Sequence, residues 1–241
     1  MELKGKRIVI VSNEGWGDVW FSKHNYAYEL SKHNEVLFVD PVSRWSPIDL
    51  VRPGIGYTVI SPTLRVLHYS NRIPALNDTF FEWNNTLVSK AIGQRLKRDG
   101  WPVDLFISFD PSRLYAPKLL GAHSSLFIAV DAYDGSIRGE RYIFDRVDRI
   151  VTISDKITKN FANSGKPLLT ISHAISSEEF QAPALTLPKR DFGIYVGTLD
   201  KRVDIGALKE MTEAHPEVHF LLIGRFSLTG DEEAEKLIRG G

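Results

Sequence analysis

Short β-branched runs alternate with helix-length amphipathic stretches along almost the whole chain, and few architectures accommodate that rhythm. Arg7-Ile8-Val9-Ile10-Val11-Ser12 has the pattern of a buried strand, and Ser22–Lys32 reads as a helix presenting Tyr26, Ala27 and Leu30. Glu35–Asp40 is the next strand. Two weaker strands follow at Tyr57–Ile60 and Leu64–Tyr69. Phe80, Phe81, Leu87, Val88, Ala91, Ile92 and Leu96 recur at helical spacing, so Asn77–Arg98 is a long amphipathic helix that Gly100 and Pro102 bring to a stop. Further strands are expected at Asp104–Phe109, Ser125–Val130, Arg149–Ile153 and Leu168–Ile171, with helices beginning near Arg113, Ile137 and Asp155. Strands alternating with helices of this length predict parallel βαβ units, hence an α/β, Rossmann-like, doubly wound parallel sheet. Ligands of such sheets sit beyond the carboxyl ends of the strands, which is where chemistry is sought.

The rhythm breaks at Gln181–Arg190, where two prolines and no clear period predict a linker. It restarts with a strand at Phe192–Val196, a helix at Asp204–Glu213, a strand at Val218–Ile223 and a helix at Asp231–Arg239. About 50 residues are too few for an independent doubly wound core. The expected organisation is therefore a first domain at 1–180, a linker at 181–190, and an incomplete second Rossmann-like domain at 191–241.

Composition excludes several chemistries. Lys+Arg and Asp+Glu both number 30, so no basic surplus supports bulk binding to nucleic acid. The absence of cysteine removes thiolate nucleophiles, disulfides and Cys-ligated zinc. The amino terminus carries no signal-peptide pattern, and no stretch approaches the roughly 18 apolar residues of a membrane span. A cytoplasmic setting is expected, with association at a membrane surface left open.

Ser12–Phe21, between the first strand and the first helix, carries Gly15-x-Gly17, which admits a phosphate or sugar close to the backbone beside a helix N-terminus. With Asp40 ending the second strand, this half-matches a dinucleotide fingerprint, but Trp20 stands where the third glycine belongs. Asp131 and Asp134 follow a central strand, and a carboxylate there can take a proton from an attacking hydroxyl. A strand-end Asp capping the next turn is the alternative. Asp110 reads as a cap for the helix from Arg113, whose guanidinium is placed to meet an anionic acceptor.

Several of these segments together resemble the GT-B nucleotide-sugar glycosyltransferases that make bacterial surface polysaccharides. Gly15–Tyr26 resembles the first loop and helix of that group, and Val36-Leu37-Phe38-Val39-Asp40-Pro41 its second strand. Asp148–Ile157 resembles a strand–helix turn of the GT-B N-terminal domain, and Ile171–Phe180 the segment leading to its linker. Ile194–Asp204 is similar to the first strand and turn of the donor domain, and His219–Gly224 to the strand that follows. The resemblance implies a cleft lined by Gly17, Lys23, His24 and His173, with Asp131 as base and Arg113 and Asp134 toward the acceptor. It implies a donor diphosphate at Gly197, Thr198, Lys201 and Arg202, although relatives often carry Gly-Arg where this chain has Gly197-Thr198.

The implied function is transfer of a sugar from a nucleotide-sugar to a glycan or lipid-linked acceptor, with no metal and no cofactor. Residues 1–241 alone are expected not to turn over, because the remainder of the donor domain is missing from them. Two alternatives stay open: a non-catalytic domain that binds a glycan or a partner, and an NAD-dependent oxidoreductase.

Overall fold

β1 (Arg7–Val11) and β2 (Glu35–Val39) are apolar on both faces, as strands covered on both sides must be, and they form the centre of a sheet. The computed structural model describes residues 3–17, 19–43, 47–50, 54–74, 76–133, 135–174, 181 and 192–227, without the side chains of 49 and 50. The chain divides into two compact units, Met1–Gln181 and Ala182–Gly241.

The first unit is built on an eight-stranded sheet. Its remaining strands are β3 (Gly56–Ser61), β4 (Leu64–His68), β5 (Val103–Ser108), β6 (Ala122–Ala129), β7 (Arg149–Thr152) and β8 (Leu168–Thr170). Their order is β3-β4-β2-β1-β5-β6-β7-β8. Every pairing is parallel except β3 with β4. That departure from an all-parallel sheet follows from the two residues Pro62-Thr63 joining those strands, a connection that only an antiparallel hairpin can make.

Successive side chains of each strand point to opposite faces, so the sheet carries two cores. Val9, Val11, Leu37, Val39 and Phe106 pack with Val88, Ile92 and Leu96 of helix α2 (Asp78–Arg98). On the other face Ile8, Ile10, Phe38 and Ile107 pack with Ala27 of α1 (Ser22–Ser31). A third cluster, including Tyr115, Phe127, Ile143, Ile157 and Phe161, draws on α3 (Glu140–Arg146) and α4 (Asp155–Asn160). Asn77 caps α2 by accepting from the Phe80 N–H, and Ser154 caps α4 by accepting from Ile157.

Two expected helix starts are corrected. No helix begins near Arg113: Leu114 has a φ of 49°, and only a 3-10 turn, Pro117–Leu120, precedes β6. The helix expected near Ile137 begins at Glu140, because Gly135 and Gly139 hold φ of 84° and 116°, outside the helical region.

In the second unit β9 (Phe192–Val196) pairs in parallel with β10 (His219–Ile223), and α5 (Ile205–Ala214) connects them. Leu199 and Leu208 are buried, whereas Ile194, Val196, Leu221 and Ile223 are exposed. Residues 182–191 and 228–241, which include most of the expected linker and the helix expected at Asp231–Arg239, lie outside the described residues.

Gly93 of α2 lies against the 3-10 turn so closely that a Cβ there would stand 2.2 Å from the Leu119 carbonyl oxygen. Gly93→Ala is expected to lower stability by about 1–3 kcal/mol through overpacking, read from urea midpoints.

Candidate functional site

The chain runs from β1 to β2 and β4 on one side, then returns to place β5 on the other side of β1. Strand order reverses there, and the crevice of a doubly wound sheet opens at the carboxyl ends of those two strands. What shapes this edge is Arg113. Its buried guanidinium donates from Nε to Asp110 Oδ2 (2.5 Å) and from Nη1 to the Asp40 carbonyl (2.7 Å) and the Tyr69 hydroxyl (2.8 Å). Nη2 donates to the Ser12 carbonyl. One side chain thereby ties together the ends of β1, β2, β4 and β5. Arg113 is consequently a structural cross-link of the strand ends, at a position where sequence led us to expect a cation facing an acceptor. Asp110 does not cap a helix: its buried carboxylate accepts from Ser112 N (2.8 Å), Ser112 Oγ (2.5 Å) and Arg113.

The loop after β1 is held as firmly. Asp40 Oδ1 accepts from the Trp16 N–H (2.8 Å), and Oδ2 pairs with His68 Nδ1 (3.1 Å). These contacts hold the carboxylate that a dinucleotide reading would place on a ribose. His24 is wholly buried, with Nδ1 accepting from the Phe21 N–H (3.0 Å) and Nε2 facing the Gly15 carbonyl (3.0 Å). Nε2 must carry the proton to donate there, so the ring is neutral, and burial holds its pKa below the ordinary value. Trp16 packs edge-on against Phe38 and His24. His24 therefore fixes the loop from inside and does not line a cleft.

Lys23 is also buried, and its Nζ donates to Asn13 Oδ1 (2.6 Å) and pairs with Glu14. Burial pushes its pKa down, against the pull of Asp131 and Asp110. Gly17 is exposed, a Cβ there would meet nothing within 4 Å, and its carbonyl accepts from Trp20 Nε1 (3.1 Å).

A pocket of 280 Å³ lies at these strand ends, lined by Asn13, Asp110, Asp131, Tyr133, Ser136 and Glu140 among others. The three described carboxylates differ in what they do. Asp110 is committed to Arg113 and Ser112. Glu140, buried in the first turn of α3, accepts from the N–H groups of Gly135 (2.5 Å) and Ile137 (3.3 Å). Asp131 is exposed and makes no hydrogen bond or ion pair among the described residues. Burial and the charges of Asp131, Asp110 and Glu140 raise the pKa of Tyr133. Sequence reading missed Glu140; its signal was a carboxylate directly after Gly135 and Gly139, two residues able to fold a loop back onto it. At Gly139 a Cβ would stand 2.3 Å from the Pro111 carbonyl oxygen. Asp134 lies outside the described residues, and His173, exposed beyond β8, has no side-chain partner among them.

The second unit brings Gly197, Thr198, Lys201 and Arg202 into one turn after β9. Gly197 N donates to the Ile223 carbonyl (2.9 Å), and Leu199 N to that of Arg225 (2.8 Å). Gly224, at φ 154°, comes so close that a Cβ would sit 1.8 Å from the Gly197 oxygen. The Tyr195 hydroxyl donates to the Thr198 carbonyl (3.1 Å). Arg202 forks onto Asp200, Nε to Oδ1 (2.9 Å) and Nη2 to Oδ2 (2.7 Å), holding that carboxyl at about 2. Asp204 caps α5 by accepting from Ala207 N (2.9 Å). Carboxylates of the chain itself thus occupy both the Arg202 fork and the α5 N-terminus, while Lys201 is exposed without an ion pair among the described residues.

No protein-family profile and no curated protein matches the chain. Solved structures do. Sucrose-phosphate synthase from Thermosynechococcus elongatus matches with a TM-score of 0.62 at 14% identity, covering 97% of this chain and 66% of that one. The catalytic domain of starch synthase IV from Arabidopsis thaliana, bound to ADP and acarbose, matches at 0.59 and 11% identity (98% and 71%). The trehalose-6-phosphate protein of E. coli bound with UDP-2-fluoro glucose matches at 0.58 and 14% identity (98% and 68%). These are GT-B glycosyltransferases, and the chain spans about two thirds of their length.

Replacing Arg113 by Ala leaves Asp110 buried without its partner, an expected loss of about 3–5 kcal/mol. Arg113→Lys keeps the charge but loses the fork, so urea unfolding is expected to show a loss of about 2 kcal/mol or more. The depressed pKa of His24 means that the unfolded chain takes up the proton first. Stability should fall as pH drops below about 6.5, and His24→Asn should flatten that slope in thermal melts.

Proposed function

From the GT-B fold of this chain, we propose a glycosyltransferase that moves a sugar from a nucleotide-sugar to a glycan or lipid-linked acceptor in cell-surface polysaccharide synthesis. The first unit takes the acceptor and the second the donor. The observation that carries the reading is Asp131: a carboxylate without a hydrogen-bonding partner among the described residues, on a pocket beside the point where strand order reverses. Asp131 accepts the proton of the acceptor hydroxyl as its oxygen bonds to the anomeric carbon, and the bond from that carbon to the nucleoside diphosphate breaks.

The leaving diphosphate takes the bond's electron pair, and its charge is met by Lys201 and Arg202 in place of a metal. For this, Arg202 exchanges the Asp200 carboxylate for phosphate oxygens, which present the same two-point acceptor to its fork. Support comes from the ADP and UDP-sugar bound to two of the neighbours in fold. A partner-binding domain without catalysis is the second reading, favoured by the exposed apolar residues Ile194, Val196, Leu221 and Ile223 of the second unit.

Asp131→Asn is expected to lower kcat about 10²–10⁴-fold, measured as nucleoside diphosphate release in the full-length protein, with circular dichroism unchanged. An unaltered kcat would remove Asp131 from the chemistry. Arg202→Ala should raise the KM for the donor, whereas a non-catalytic domain would release no nucleotide in any variant.

A further inference from the structure

Helix α2 has a second face that the core does not use. Leu76, just before the helix, and Phe80, Trp83 and Leu87 within it are exposed at 77%, 37%, 59% and 43%. They are spaced by three and four residues, which aligns them in one stripe along the helix. The Phe80 and Trp83 rings meet edge-on at 5.8 Å. The same spacing continues through Lys90, Gln94 and Lys97, all exposed. One outward stripe is therefore apolar over its first half and cationic over its second.

The cationic half borders a groove of 550 Å³ between α2 and the 3-10 turn at Pro117–Leu120. Lys90, Gln94 and Lys97 line it from the helix, and Lys118 and His123 from the opposite side. Neither Lys90 nor Lys97 forms an ion pair among the described residues, and the Lys118 ammonium makes only a long contact (3.4 Å) to the His123 carbonyl. The acids near this surface are engaged. Asp78 pairs with Arg138, Glu82 with Arg146, Asp99 with Arg95, and Asp104 lies 4.0 Å from His123. A chain of zero formal net charge thus presents a local surplus of lysine next to a row of aromatic and aliphatic side chains.

We infer that this face docks on a bilayer containing anionic lipid. Phe80, Trp83 and Leu87 would lie at the level of the acyl chains, and the groove of Lys90, Lys97 and Lys118 would receive lipid phosphates. A helix of 21 residues is about 30 Å long and lies in the plane of the interface when its apolar and basic residues share one side. No helix among the described residues is long and apolar enough to cross the membrane, so the attachment is peripheral. Trp and Phe suit the boundary between headgroups and chains, and lysines are drawn to its negative potential. A second copy of the chain would present the same lysines to themselves and is disfavoured by that repulsion.

The inference does not depend on the transferase reading, since vesicle binding is measured without any sugar donor. Flotation of the full chain with phosphatidylcholine vesicles containing phosphatidylglycerol is compared with flotation on phosphatidylcholine alone. Binding to the anionic vesicles is expected, weaker by about tenfold or more in the double variant Lys90→Glu, Lys97→Glu. Trp83→Ser should also release the protein, and brominated acyl chains should quench wild-type tryptophan fluorescence more than that of Trp83→Ser. Circular dichroism checks that both variants fold. No binding to anionic vesicles, or binding unchanged in either variant, would overturn the inference. So would self-association that Trp83→Ser abolishes in a protein that ignores vesicles.

Discussion

A guanidinium removed from water loses more solvation than a single carboxylate returns, so a buried arginine persists only where several acceptors converge on it. Arg113 has four: the carbonyls of Ser12 and Asp40, the Tyr69 hydroxyl and the Asp110 carboxylate. Each belongs to a different strand end. Carbonyls that leave a parallel sheet have no ladder partner beyond the last residue, and a planar donor fork reaches several of them at once. The positions of the loops after β1, β2, β4 and β5 all refer to this one side chain.

That constraint sorts the polar residues around the pocket. Asp110 cannot take up a proton without depriving Arg113 of its only carboxylate partner among the described residues, and Glu140 cannot without weakening its hold on two backbone N–H groups of its own loop. Lys23 and His24 are drawn inward by the same loop that they stabilise, and the exposed residues beside them include Asn13, Gly17, Trp20 and Phe21. Of the three described carboxylates lining the pocket, the one left without such a commitment is Asp131, one strand beyond the cross-link. Nearby, Tyr133 packs edge-on to Phe127, and Gly139 lies close against Pro111.

The sheet was legible in the sequence because its strands are largely continuous apolar runs, and α2 because its apolar residues recur at helical spacing. The misreadings share a cause. Asp110-Pro111-Ser112-Arg113 looked like a cap and a helix start, yet Leu114 adopts a left-handed backbone that no local pattern announces. Arg113 looked placed to meet an anionic acceptor, yet its partners come from residues as far as 101 positions away in the chain. Lys23-His24 matched a surface pattern while the fold placed both inside. The place of Asp131 was legible since a strand-end acid needs only its strand to be located. Long-range satisfaction of polar groups is what single-sequence reading cannot supply, and the errors fall on those groups.

Balanced charge gave the opposite kind of blindness. Equal numbers of acidic and basic residues describe a neutral average, and argue soundly against bulk nucleic-acid binding. They carry nothing about placement. On α2 the acids Asp78, Glu82 and Asp99 are each met by an arginine, which leaves the lysines of the outward stripe to set the local potential. The apolar half of that stripe has a similar history: Phe80 and Leu87 fell within a helical pattern that also contains the core residues Val88, Ile92 and Leu96. A periodic count merges the two faces, because both repeat at the same spacing and differ only in phase. Separating them requires knowing which side of the helix meets the sheet. Once Gly93 is fixed against the 3-10 turn and Val88 and Ile92 against β1, the phase of the outer row is no longer free, and its exposure is a consequence of how the core packs.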